Sequence, residues 1–421
     1  MSYEKKLLAM KGLVKKQPER LAETNSPPPV IKKYKEWKAA GYELMETDAG
    51  DYYKISTFFP NSYLHGKVQF YQLSKLVQKV KEMFPGHPLT PHPESKLFFY
   101  DTETTGLKGA GVHIFLNGVL FQTEAGFQLD QYLLASPEYE VAFLQALPFA
   151  EQDTLITYNG KSFDIPQLEV RWTMNRKKLK PFPGVLQIDL LHGSKRLWKG
   201  QQQRFKLQDM EKEHLGFHRE DDMPGHLAPI VYMDALRSGN TENLDRILEH
   251  NKWDLLSLVS LYIHSLRHLL DESSESTSKT ELNLAKWLKD LKLLPHSRAL
   301  YEKVTERYEQ QDIPHAYYYL SLLQKREGAF AESLELMQVA AKELQGVEKL
   351  EALIHCAKLL EHQLKEYENA KFVVIQAKTQ LLTLTATLPK EKLALYLQDL
   401  KNRDARIARK IISRESAAFD K

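Results

Sequence analysis

FFYDTETTGLKGAG, residues 98–111, runs from aromatic and apolar residues into two acids, Asp101 and Glu103, followed by Thr104, Thr105 and Gly106. Two carboxylates at the end of a strand that reads as buried either decorate a turn or hold a cation. The choice depends on whether later segments supply more ligands, and two segments do. TLITYNGKSFDIPQL, residues 154–168, reads as a strand, an Asn-Gly turn and then Asp164 at the start of a helix. LDRILEHNKWDLLSLVSLYI, residues 244–263, reads as a helix carrying His250 and Asp254. Four residues apart, these two lie about 40° from one another on one helix face. Asp254 sits among Leu255, Leu258, Val259 and Tyr262, where an unpaired carboxylate is expensive.

Singly, each residue has a plainer reading. Asp101 and Glu103 suit a turn, and Asp164 suits a helix N-terminus, where the dipole favours negative charge. Asp254 has Arg246 and Lys252 as salt-bridge candidates, although neither spacing places them well on its face, and a lone histidine is more often structural. Together they imply four carboxylates in one cleft, which repel one another unless cations neutralise them. Hard divalent ions, Mg²⁺ or Mn²⁺, take oxygen ligands and retain waters. Two such ions stabilise both oxygens of an in-line phosphoryl displacement. This reading requires that no arginine or lysine tie up any of the four acids.

Composition is permissive. The 421 residues are 43% hydrophobic and 27% charged, enough for a large core and two or three domains. With 58 basic against 55 acidic residues the net charge is +3, so overall charge neither demands nor excludes a nucleic-acid partner. A single cysteine, Cys356, rules out a disulfide within the chain and suits a reducing cytosol. No apolar run reaches the roughly 18 residues of a membrane span. The lysine-bearing start lacks the apolar core of a signal peptide. The expectation is a soluble, cytoplasmic protein without membrane contact.

Three regions separate by pattern, with a linker between the last two. Residues 1–95 read as an accessory region: a lysine-rich helical start, a break at NSPPPV, a helical patch at 34–40 and an aromatic stretch suited to a hairpin or two. PGHPLTPHPES, residues 85–95, reads as a linker or edge loop. Across 96–268, strands are expected at 97–100, 113–122, 127–135, 154–158 and 185–191, with helices at 139–147, 163–175 and 243–266. The order predicts an α/β domain with a mixed five-stranded sheet flanked by helices. Residues 269–281 read as a polar linker, and 282–421 as helices only. Small residues at Ala299, Ser333 and Ala370 recur at intervals of 34 and 37, with Ala340 and Ala377 seven residues after the last two, so the tail is tetratricopeptide-like.

FYDTETTGL, TYNGKSFDIPQL and HNKWDLLSL resemble, in order and spacing, the three motifs of the DEDD (DnaQ-like) 3′–5′ exonucleases, which have the ribonuclease H-like fold. The likeness spans residues 96–268. It is closer to bacterial YprB-like proteins, which carry this domain before a tetratricopeptide-type tail, and there it also involves IDLLHGSKRLW (188–198) and LGFHREDDMPG (215–225). The resemblance implies that Asp101, Glu103, Asp164 and Asp254 bind two divalent cations and that His250 is the general base. It further implies that the backbone of Thr104, Thr105, Gly106 and Leu107 approaches the terminal nucleotide and that Asn159 contacts the scissile strand. One departure stands out. The family places a histidine base five residues before the last aspartate and a tyrosine base four before it, whereas His250 occupies the tyrosine spacing. His250 then either reaches the water from the tyrosine direction or merely orients it.

Other stretches read more blandly. Asp189 and His192 suit capping or hydrogen bonding, HREDD (218–222) a solvated loop, and Gly109-Ala110-Gly111 a strand connector. RKKLKPF (176–182) and KRLWKGQQQRFK (195–206) interleave basic and aromatic residues as strand-tracking surfaces do. KNRDARIARKIISR (401–414) is basic enough to touch nucleic acid but reads first as a solvated helix. The expected function is a metal-dependent 3′–5′ exonuclease acting on DNA or RNA, with a protein partner for the helical tail. The alternatives are a binding scaffold without turnover and a structure-specific endonuclease using the same site.

Overall fold

The structure, a computed structural model, describes residue 37 and residues 42–106, 111–308 and 312–419. The expected N-terminal helices, Leu107, Gly109 and Ala110 fall outside these. Strands β1 (Tyr42–Thr47) and β2 (Gly50–Pro60) form a hairpin, and β3 (Leu64–His65) with β4 (Val68–Gln69) a smaller one before helix α1 (Gln72–Met83). Then come β5 (Leu97–Thr104), β6 (Ile114–Gln122), β7 (Gly126–Leu134), α2 (Glu140–Gln145), β8 (Thr154–Thr157), α3 (Asp164–Met174) and β9 (Leu186–Asp189). Helices α4 (Leu190–Leu197), α5 (Leu207–Met210), α6 (Ala228–Ser238) and α7 (Leu244–Leu269) complete this part.

The sheet has seven strands in the order β1-β2-β7-β6-β5-β8-β9. Strands β8 and β9 run parallel to β5 and to each other, and the remaining pairs are antiparallel. The five expected strands are its centre and one side. The other two come from the region expected to stand apart, because β2 pairs with β7 over nine positions from Tyr52↔Leu134 to Pro60↔Gly126. Residues alternate between two cores as a strand requires: on β5, Phe98 and Tyr100 enter one core and Phe99 the other. Helices α2, α3 and α6 cover the first face, whereas α1, α4 and most of α7 cover the second.

Helix α7 joins these two cores. Leu244, Ile247 and Leu248 pack into the first, and Leu255, Leu256, Leu258, Val259 and Tyr262 into the second. Its crossing point is Gly118 of β6: a side chain there would overlap Asn251 Oδ1 and Leu255 Cδ1. Gly118 pairs across the sheet with Asp101, so the close approach brings the helix directly beside the first acid.

The proline-rich stretch 85–95 is packed. His87 and Leu89 are buried, and the Leu89 carbonyl accepts from Tyr262 Oη at 2.8 Å. The serine-rich linker is docked too. Glu272 and Glu275 pair with Lys79 and Lys67, and Thr277 caps α8 (Ser278–Asp290) by accepting from the Thr280 N–H at 3.1 Å. An N-cap oxygen satisfies an otherwise orphaned amide, which is why the helix starts inside that polar run.

The tail is helical throughout its described length: α9 (Leu294–Arg307), α10 (Ile313–Arg326), α11 (Phe330–Glu343), α12 (Gly346–Leu359), α13 (Tyr367–Thr383) and α14 (Lys390–Phe419). Three consecutive pairs, α8/α9, α10/α11 and α12/α13, place fully buried small residues at matching points. These are Ala285, Ser321 and Ala357 on the first helices, each 36 residues after the last, and Ser297, Ser333 and Ala370 on the second, 36 and 37 apart. Small side chains let helix backbones approach, and Ser297 Oγ donates to the Ala285 carbonyl at 2.8 Å as Ser321 Oγ does to Ser333 at 2.6 Å. The repeat is therefore anchored on Ser297, and Ala299, expected in that role, is exposed.

Gly118→Ala is expected to lower stability in urea by about 1–3 kcal/mol, the usual effect of overpacking. An unchanged midpoint would mean that α7 does not depend on this crossing.

Candidate active site

The three motifs converge. Asp101 and Glu103 project from β5, Asp164 is the first residue of α3, and His250 and Asp254 lie on α7 where it passes between the two cores. His250 Nε2 is 3.9 Å from Glu103 Oε1 and 3.5 Å from Asp254 Oδ2. Thr102, the residue between the two β5 acids, holds Asp164 by donating to Oδ1 from both its backbone N–H (3.2 Å) and its hydroxyl (2.6 Å). Asn251 Nδ2 donates to Asp101 Oδ2 at 2.8 Å and is itself oriented by Gln131, whose Nε2 donates to Asn251 Oδ1 at 2.8 Å. A relay from β7 through α7 thus fixes the first acid of β5.

Electrostatics follows from this crowding. Burial, then the charges of Asp254, Asp164 and Glu103, push the Asp101 carboxyl well above the usual range. Burial and the surrounding acids raise Glu103 to about 8, against the pull of His250. Burial also raises Asp164 to about 6, although the Thr102 hydrogen bonds oppose it. For His250, burial favours the neutral ring, but the hydrogen bond to Asp222 and the charges of Asp254 and Glu103 outweigh that and lift it to about 9. The surrounding carboxylates therefore favour the charged form of the His250 ring.

The segment 218–222 is a loop exposed at His218, Glu220 and Asp221, as expected, but it turns two side chains inward. It brings Arg219, whose side chain is 4% exposed, to Glu211, Asp222 and Asp254 together. Asp222 also accepts from His250 Nδ1 at 2.6 Å. Burial opposes its ionisation, but His250 and Arg219 hold its carboxyl below the ordinary value. The requirement that no arginine touch the four acids fails at Asp254, while Arg246 and Lys252, the expected candidates, pair with Asp221 and Glu249. One guanidinium is shared among three carboxylates, so a negative excess persists. Among the described residues, Asp101, Glu103 and Asp164 have no lysine or arginine partner.

A divalent cation fits the chemistry of this donor set: clustered carboxylate oxygens whose ionisation is opposed first by burial and then by neighbouring charge. Side-chain placement fits less well. Among the described residues no three His, Cys, Asp or Glu side chains form a ready ion cage, and Asp254 Oδ1 is engaged by Arg219.

Nearby residues have structural tasks. Thr104 Oγ1 donates to the Gly106 carbonyl at 2.7 Å, and Thr105 Oγ1 accepts from the His113 N–H at 2.9 Å, which shapes the turn after β5. Asn159 has φ +63°, a left-handed conformation that Asn tolerates. Its N–H donates to Asp189 Oδ1 at 2.8 Å, and Asp189 also caps α4, so Asp189 is an organiser of this turn. His192 is 3.9 Å from Asp189 and exposed. In the basic-aromatic stretch, Trp198 is buried against His214, so it belongs to the core and offers no face for a base.

Comparison with known proteins places this geometry in a class. The RNase H superfamily matches residues 98–266, the span that contains all three motifs. Nucleases of this class generally use divalent metal ions, and membership points to a nucleic-acid hydrolase. Over 354 residues the chain is 36% identical to the uncharacterized protein YprB of Bacillus subtilis (strain 168), covering 82% of this chain and 84% of that protein. The chain belongs to the YprB family, and its nuclease-like part is an RNase H superfamily domain. Among the described residues no helix is long and apolar enough to cross a membrane.

Arg219→Ala would strand the buried Glu211 carboxylate and is expected to cost about 3–5 kcal/mol in a denaturant titration; a loss below about 1 kcal/mol would show that the triple pairing is dispensable. The pH dependence has a definite sign. Glu103, Asp164 and His250 all have folded values above their ordinary ones, so the unfolded chain releases these protons first and stability falls as pH rises from about 4.5 to about 9. In metal-free buffer, Glu103→Gln should reduce the loss between about pH 5 and pH 8 by an amount on the order of 2 kcal/mol. Equal pH slopes for the two proteins would remove Glu103 from the repelling cluster.

Proposed function

We propose that this chain is a metal-dependent 3′–5′ exonuclease of the DEDD type that hydrolyses phosphodiester bonds of DNA or RNA. The observation that supports it most is the convergence of Asp101, Glu103, Asp164 and Asp254, from three separated motifs, on one place, where burial and then neighbouring charge oppose the ionisation of the first three. In this reading the four acids hold two divalent cations, Mg²⁺ or Mn²⁺. Such ions, when bound, supply positive charge for the entering and departing oxygens of an in-line displacement.

The protein's own residues do the rest. Thr102 and Asn251 orient Asp164 and Asp101. His250, steered through Nδ1 by Asp222, presents Nε2 toward Glu103 and Asp254, where it handles the proton of the attacking water once its own has been released. The turn shaped by Thr104, Thr105 and Gly106 approaches the terminal nucleotide, as Leu107 would in the same family role, and Asn159 contacts the strand being cut. The small-residue hairpins of the tail are tetratricopeptide-like and present a surface to a protein partner. The protein works in the cytoplasm.

A second reading, nucleic-acid binding without turnover, is favoured by one observation, the engagement of Asp254 by Arg219. A panel of 3′-labelled single-stranded and duplex DNA, RNA and hybrid substrates, with Mg²⁺, Mn²⁺ or chelator, separates the two. Stepwise release of mononucleotides, abolished by chelator and by Asp101→Ala or Asp164→Ala, is the expected outcome, and His250→Ala should slow cleavage by about 10²–10⁴-fold. Binding without metal-stimulated cleavage would establish the second reading, and discrete internal cuts would make the enzyme an endonuclease.

A further inference from the structure

The final helix carries a second concentration of charge, of opposite sign. A surface hollow of about 730 Å³ lies between the turn that precedes α13 and the last part of α14, lined by Lys365, Tyr367, Arg406, Arg409, Lys410 and Arg414, with Ser413. Five of these carry positive charge and none is acidic.

Behind the hollow lies Glu361, whose side chain is fully buried. Its oxygens accept from Arg403 Nη1 at 2.9 Å, from Arg406 Nη2 at 2.9 Å and from Lys410 Nζ at 3.0 Å. Burial opposes its ionisation, but the hydrogen bonds from Arg406 and Lys410 dominate and hold its carboxyl down at about 2. One carboxylate is thus over-supplied, and it locks α14 in register. Lys365, Arg409 and Arg414 are not needed by it, and among the described residues they have no carboxylate partner. Arg414 Nη1 instead donates to the Lys365 carbonyl at 3.3 Å and closes the far side. Lys365 stands at φ +60°, a conformation that suits glycine or asparagine better, so the chain keeps a long cation there at some conformational expense.

Spacing indicates the shape of the ligand. Arg406, Lys410 and Arg414 follow one another at four-residue intervals, so they line one helix face about 6 Å apart along the axis. A row of charges fits a chain of anions better than a single one. Guanidinium groups offer forked donors that match phosphate oxygens. The Tyr367 ring packs partly against the helical core and has Lys410 Nζ over it at 5.5 Å, which fixes that cation beside the hollow.

We infer that this hollow binds the sugar-phosphate backbone of single-stranded nucleic acid, as a second contact outside the RNase H superfamily domain. The choice of nucleic acid over an acidic peptide rests on the nuclease reading of that domain. The test is binding, with cleavage suppressed. The full chain is titrated against a fluorescent oligonucleotide of about 20 nucleotides, DNA and RNA, in chelator and over a range of salt, and anisotropy is recorded. Arg409→Glu with Arg414→Glu should weaken binding by about tenfold or more and reduce the salt slope by about 1.4, two contacts at about 0.7 each. Lys392→Glu with Lys401→Glu makes the same charge change elsewhere on α14 and should alter affinity by less than about twofold. Circular dichroism should be the same for both variants, because none of the four residues pairs with Glu361. No binding by the wild type, or equal losses in the two variants, would overturn the inference. Displacement of the oligonucleotide by polyglutamate as readily as by unlabelled oligonucleotide would assign the hollow to an acidic protein surface. Metal-stimulated cleavage by a wild type that fails these tests would leave the nuclease reading standing alone.

Discussion

Buried carboxylates that face each other are the constraint around which the RNase H superfamily domain is built. Burial makes each of Asp101, Glu103 and Asp164 harder to ionise, and neighbouring carboxylates, Asp254 in every case, add to it. The fold holds them there by backbone means. Asp101 and Glu103 are fixed by sheet register, Asp164 by the start of α3, and Asp254 by a helix whose approach is set by the absence of a side chain at Gly118. Asn251 and Thr102 then orient what the backbone has gathered. Such repulsion is tolerated because the surrounding core supplies stability elsewhere: a fully buried leucine or phenylalanine is worth about 1.5–3 kcal/mol, and α7 alone buries a dozen apolar residues.

Arg219 changes how this cluster should be understood. It reaches Asp254, Asp222 and Glu211 at once, and Asp222 in turn engages His250. One guanidinium therefore sets the positions of an acid and a histidine that belong to the third motif. The loop that carries it is part of the site, and one carboxylate oxygen of Asp254 already faces that guanidinium.

Much of this was legible in the sequence, for identifiable reasons. Strands β5 to β9 and helix α7 declare themselves by apolar runs and by helical periodicity, and the acids stand out because they interrupt those runs. What escaped depends on contacts between distant residues. Nothing local in the polar HREDD stretch shows that Arg219 will be buried against residue 254. The aromatic stretch before residue 85 suits a hairpin or two but does not say that one of its strands adds to β7. Asn251 is one residue from His250, yet its importance comes from facing Asp101, 150 residues away. In the tail the recurrence of small residues was visible, but only helix packing shows that Ser297, with its hydroxyl on the Ala285 carbonyl, is the repeated position. The opposite error occurred at Trp198, where basic neighbours suggested a nucleic-acid surface and burial in the core overrode them.

The two halves use charge in complementary ways: acids crowd one end of α7, and bases line α14 around a single carboxylate. Protons report directly on the crowding of the acids. Calorimetric titration of Mg²⁺ or Mn²⁺ into the protein at about pH 7, repeated in buffers of different ionisation enthalpy, measures the protons released per ion bound. Because Glu103 is held at about 8 and Asp101 well above its usual range, binding should expel protons. Binding with no proton release, or no binding at all, would contradict the account.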